Sequence, residues 1–115
     1  MQALAKRKKI KPNVQVALSV IVNCELLFGL HKTPSQQRQA EYDALIPAFD
    51  VLALTPNIAT VYGNLRANLE LAGKPLSAND VLIAAHAISL NATLVSADEA
   101  FAQVPNLKLE NWLVG

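Results

Sequence analysis

Two aspartates stand where turns open onto apolar segments. Asp80 follows PLSAN, Pro75 to Asn79, and precedes the run VLIAAHAISL; Asp98 follows the short β-branched stretch TLV and Ser96-Ala97. A third acid, Glu25, lies within QVALSVIVNCELLFGL, the other strongly apolar segment. Carboxylates gathered without histidines or thiols select a hard cation, Mg²⁺ or Mn²⁺, over zinc. Such ions serve phosphoryl chemistry: they neutralise a phosphate, acidify water and stabilise the departing oxygen.

Each acid also has an ordinary reading. Ser77-Ala78-Asn79-Asp80 fits a capping box, and an acid there complements the helix dipole, so local chemistry by itself favours a cap for Asp80. Ser96-Ala97-Asp98-Glu99 is a second box with Glu99 as its acid, which releases Asp98 for a separate role. Glu25 has apolar neighbours on both sides in sequence. A carboxylate buried there is costly unless paired or bound to a cation, and one on a surface stripe is not; both readings stand. His86 reads as a satisfied core residue and His31 as loop surface. No P-loop, dinucleotide fingerprint, serine-hydrolase elbow or CxxC motif is present.

The elements that must position these acids follow from periodicity and punctuation. Met1 to Lys9 is helix-compatible, and Pro12-Asn13 break it. Val14 to Val20 reads as a strand buried on both faces. Ser19 then caps a helix to about Leu27, with Gly29 as its stop. Pro34-Ser35 open another helix, limited by Pro47. Val51 to Leu54 is a second strand. Ile58, Val61, Tyr62, Leu65, Leu69 and Ala72 form one helical stripe ended by Gly73. Ser77 to Leu90 is apolar around nearly its whole circumference and is therefore a buried helix. Thr93 to Val95 is a third strand, Ser96 to Ala102 a short helix, and Leu107 to Leu109 a last strand. Alternating strands and helices give an α/β fold with a mostly parallel sheet, whose ligand edge lies at the carboxyl ends of the strands.

At 115 residues the chain is one domain, and with 52% apolar but only 5% aromatic residues its core is aliphatic. Lys6, Arg7, Lys8, Lys9 and Lys11 precede the first acid, leaving five bases against nine acids afterwards. That cluster reads as the solvated end of a terminal helix rather than a nucleic-acid arm. One cysteine, Cys24, excludes an internal disulfide and a thiolate zinc cluster. No apolar run spans a bilayer, and a cytoplasmic protein without a membrane partner is expected.

The segments Ala17 to Leu30, Pro75 to Phe101 and Leu107 to Trp112 resemble the PIN domain of VapC-type toxins from bacterial toxin–antitoxin pairs. The resemblance spans about residues 14 to 112. It implies a PIN-like three-layer sandwich over 1–115, with 1–12 as a basic N-terminal helix. It further implies a metal-dependent endoribonuclease, in which Glu25, Asp80 and Asp98 are catalytic and hold Mg²⁺ or Mn²⁺. Ser96, in place of the family's usual threonine, and Asn79 support them. The implied partners are a VapB-like antitoxin, an RNA substrate and a second copy in a homodimer.

One departure bears on activity. The family carries a first catalytic aspartate close to its start, on a central strand, whereas the first aspartate here is Asp43. Met1 to Ile10 resembles the tail of the helix that precedes the family's second strand, so the chain reads as N-terminally truncated, with weakened metal binding. The alternatives are a non-catalytic PIN module that binds an antitoxin or a full-length relative, and a plain α/β domain whose acids are only caps.

Overall fold

The computed structural model describes residues 3–5, 16–96 and 98–110. In chain order the elements are β1 (Ala3–Ala5), β2 (Val16–Ser19), α1 (Val20–Lys32), α2 (Gln36–Leu45), a 3₁₀ turn (Ile46–Ala48), β3 (Asp50–Leu52), α3 (Ile58–Leu71), α4 (Ala78–Ser89), β4 (Thr93–Val95), a second 3₁₀ turn (Glu99–Gln103) and β5 (Lys108–Glu110). The five strands form one sheet in the order β3-β2-β1-β4-β5. β2 pairs parallel with β3, and β4 parallel with β5. β1 lies between the two pairs and runs against both neighbours, Leu4 facing Ala17 on one side and Leu94 on the other. The fold is thus α/β with a mostly parallel sheet, as the alternation of elements predicts.

Ala3–Ala5 is extended, which corrects the expected N-terminal helix. Three residues cannot nucleate a helix on their own, whereas here each strand neighbour supplies a ladder. The rest of that basic segment, the start of the predicted Val14–Val20 strand, Ala97 and Trp112 lie outside the described residues. β2 stops at Ser19 because the Ser19 side chain turns back to accept a hydrogen bond from the Ile21 amide, capping α1. α1 does not stop at Gly29. A glycine inside a helix costs only about 1 kcal/mol, and Leu30, buried one residue later, anchors the final turn. The helix ends where Thr33 precedes Pro34 and leaves the helical region, at φ −130° and ψ 78°.

α3 and α4 end as their sequences predict. Gly73, at φ +71°, donates to the Glu70 carbonyl while Lys74 donates to Leu69 at 2.8 Å, the paired bonds of a Schellman motif. Asn91, at φ 52°, repeats the arrangement after α4 through bonds to Ile88 and Ala87. α4 is the buried helix its composition demands: Val81, Ile83, Ala84, Ala85 and Ala87 are wholly enclosed. Leu18 of β2 and Leu94 of β4 meet it from the sheet; Leu65 and Leu69 of α3, with Phe101, complete the core. The small alanine side chains let α3 pack closely along α4. α2 buries nothing and is tied back by the Tyr42 hydroxyl, which donates to Asn23 Oδ1 of α1 at 2.6 Å. No helix among the described residues is long and apolar enough to cross a membrane.

Candidate functional site at the carboxyl edge of the sheet

β2 and β4 point the same way, so Ser19 and Val95 end at one edge of the sheet. α1 leaves that edge carrying Glu25; the chain after β4 carries Ser96 and Asp98; and α4 begins with Asp80 in its first turn. Asp80 and Asp98 are brought close enough for one charge to act on the other. Burial pushes the Asp80 carboxyl above the usual carboxylate range, and the Asp98 charge pushes it further the same way; a hydrogen bond with Ser77 opposes both. Among the described residues no basic group enters that balance.

Both aspartates lie within the caps of the turns they open, but only Asp98 caps with its own side chain. The Ser77 hydroxyl accepts from the Asp80 amide at 3.2 Å, as the first capping box predicts. The second box is different. Ser96 does not cap the following turn: its buried hydroxyl accepts from the Asp98 amide at 3.0 Å, and Asp98 itself is the cap, Oδ1 accepting from Ala100 at 2.9 Å. The 3₁₀ turn begins at Glu99 rather than Ala97, so the cap shifts two residues along and Glu99 is exposed. Ser96 therefore orients Asp98 and Asp98 is not released from capping, although that bond occupies only one of its two oxygens.

Glu25 is exposed, so the cost of burial does not apply to it. It lines a concavity of about 510 Å³ together with Ile21, Cys24 and Phe28 of α1 and Asn79 of α4. Asn79 directly precedes Asp80, which makes this hollow the neighbour of the aspartate pair. Glu25 is not among the groups that shift Asp80, and among the described residues no three His, Cys, Asp or Glu converge on one ion position. The donor chemistry nonetheless suits a hard cation. Mg²⁺ is commonly held by one or two carboxylates with waters and substrate phosphate in the remaining positions, and Asp80 and Asp98 are the residues that would supply them.

His86 was expected to be a satisfied core residue and is satisfied on one side only. It is 1% exposed, and its Nδ1 lies 2.8 Å from the Ser19 hydroxyl, which is itself 0% exposed. Nε2 has no hydrogen-bond partner among the described residues. The Ala53 backbone is near enough to favour the charged ring slightly, but it does not meet hydrogen-bond geometry at Nε2, and burial, the larger influence, holds the ring below its ordinary pKa. This serine–histidine contact joins the β2–α1 junction to α4 across 67 residues. The sequence marks Ser19 as a helix cap and His86 as a core residue, but no spacing pairs them.

This fold is shared with a known family. The PIN domain model matches residues 2–107, and the chain belongs to the PIN domain family. It is 39% identical over 102 residues to Ribonuclease VapC2 of Rickettsia felis, covering 87% of this chain and 76% of that protein. It is 30% identical over 100 residues to the tRNA(fMet)-specific endonuclease VapC of Shigella flexneri, covering 85% and 76%. The fold superposes on VapBC2 of Rickettsia felis bound to a DNA fragment from their promoter, with a TM-score of 0.79, 40% identity, and 84% and 74% of the two chains covered. For VapBC-1 of nontypeable Haemophilus influenzae the TM-score is 0.80 at 29% identity, covering 90% and 79%.

Proposed function

We propose that this chain is a VapC-like endoribonuclease, the toxin of a toxin–antitoxin pair, hydrolysing RNA phosphodiester bonds under the control of a VapB-like antitoxin. Asp80 and Asp98 would hold Mg²⁺ or Mn²⁺, with Glu25 on the adjoining wall as the third acid and Asn79 and Ser96 supporting. When bound, such an ion supplies positive charge against the phosphate and acidity to water. The protein's own residues do the placing: Ser77 and the first turn of α4 fix Asp80, and the Ser96 hydroxyl fixes the backbone of Asp98. Action in the cytoplasm and a homodimer belong to the same proposal.

The observation that carries it is the Asp80–Asp98 pair, two carboxylates repelling one another at the carboxyl edge with no offsetting base among the described residues, in a chain whose relatives are named ribonucleases. The test is cleavage of a single-stranded RNA in Mg²⁺ or Mn²⁺ by wild type, Asp80→Asn, Asp98→Asn and Glu25→Gln. Loss of several kcal/mol of charge stabilisation corresponds to roughly 10²- to 10³-fold in rate, and EDTA should abolish cleavage. Activity that survives EDTA and all three substitutions would refute the site. A second reading is favoured by the lack of a three-acid group among the described residues: a non-catalytic PIN module that binds a VapB-like antitoxin or a related chain. It predicts tight antitoxin binding and no cleavage at any divalent ion concentration.

A further inference from the structure

α1 turns one stripe outward. Ile21, Cys24, Glu25 and Phe28 recur at three- and four-residue intervals and, with Asn79, line the 510 Å³ hollow. That volume is in the range of small-molecule sites, about 300–1,000 Å³. Phe28 is 64% exposed, and Lys32, one turn later, places its Nζ 5.7 Å from the ring centroid. A lone exposed phenylalanine calls for no explanation. This one shares a hollow with a carboxylate and an amide, stands under a cation, and lies about 4.5 Å along the helix axis from Glu25.

We infer that Phe28 is a stacking platform for a base of single-stranded RNA beside the aspartate pair, with Lys32 contacting a phosphate that flanks this base. The inference rests on the nuclease reading and names a substrate-positioning residue for it. An unpaired base has a flat face that matches an exposed ring, and stacking of this kind tolerates any base. The Asn79 amide, with both donors and an acceptor, is suited to a base edge, and the Lys32 ammonium is suited to phosphate. A protein helix would instead demand an unbroken apolar groove, and here Glu25 and Asn79 interrupt the apolar Ile21, Cys24 and Phe28.

The probe is an eight-nucleotide single-stranded RNA carrying 2-aminopurine at successive positions, titrated with the protein by fluorescence without divalent ions. Wild type should quench one position strongly. Phe28→Ala should weaken binding by about one to two orders of magnitude and abolish that quenching, while Phe28→Tyr restores both. Lys32→Gln should flatten the salt dependence by about one unit of slope. Equal affinity and quenching in wild type and Phe28→Ala would overturn the platform, as would full rescue by Phe28→Leu or failure of every variant to bind. So would a Phe28→Ala variant that keeps RNA binding and loses only a VapB-like antitoxin. Cleavage in Mg²⁺ separates the two proposals. If wild type and Phe28→Ala cut equally well, the nuclease stands and the platform falls. Phe28-dependent quenching without cleavage leaves the platform standing and removes the nuclease.

Discussion

Substituting Ser19 should cost far more than a surface hydroxyl, and the excess should depend on His86. In Ser19→Ala the Ile21 amide loses its cap, worth about 1 kcal/mol. The same change strands His86 Nδ1 in a ring whose Nε2 is already unpaired, and an unsatisfied buried nitrogen costs about 1–3 kcal/mol more. The sum, about 2–4 kcal/mol, is a large part of the ~5–15 kcal/mol that holds a domain together. In the His86→Leu background both ring nitrogens are gone, and only the cap term should remain. Urea denaturation followed by circular dichroism, fitted with a shared slope, gives all four corners of the cycle. A coupling of about 1–3 kcal/mol is expected. If Ser19→Ala costs the same with and without the imidazole, the contact carries no energy and the reasoning fails.

Other outcomes follow from the same geometry. Burial holds the folded His86 ring below its ordinary value of 6.5, so the unfolded chain takes up the proton first; stability should be retained above about pH 6.5 and fall as the pH drops below it. His86→Leu should flatten that slope in denaturation midpoints between pH 5 and 7, and an unchanged slope would assign it to other groups. Gly73→Ala places a Cβ at φ +71° with nothing within 4 Å to clash. Its cost is therefore backbone strain, about 1–2 kcal/mol, and a loss under 0.3 kcal/mol in thermal melts would contradict the Schellman assignment. If Asp80 and Asp98 hold a cation, Mn²⁺ at about 100 times its Kd should stabilise wild type by about 2.7 kcal/mol. Asp80→Asn should melt at the same temperature with and without Mn²⁺, and an equal rise in both would remove Asp80 from the site.

What could be read in the sequence tracks whether the causes are local. α4 is legible because its cap, its apolar circumference and its closing turn lie within Ser77 to Ala92, and Gly73 because only a residue at ease with positive φ closes α3. β1 is not, since ALA followed by KRKK carries no strand pattern and becomes extended only by pairing with residues 11–13 and 88–92 positions away. Glu25 misleads for a different reason: its apolar sequence neighbours point around the helix at 100° steps, so Val22 and Leu26 turn to the core while Glu25 faces the hollow with Cys24 and Phe28. Asp98 misleads because a cap can move two residues when the turn after β4 is tight. The strand direction that sets the carboxyl edge was predictable, and the Asp98 charge reaches Asp80 there; the placement of Glu25 relative to them depends on how α1 is rotated, which no local pattern encodes.

β1 has a consequence for how the molecule comes apart. Among the described residues the β3-β2 pair and the β4-β5 pair touch through the sheet only across Ala3, Leu4 and Ala5. Lifting that tripeptide out severs two ladders at once and leaves two separate ribbons, each too narrow to persist in water without its helices. The amide protons of β2 and β4 should then exchange with solvent in step with those of β1, so that the durability of the longest-range pairing among the described residues is set by a tripeptide.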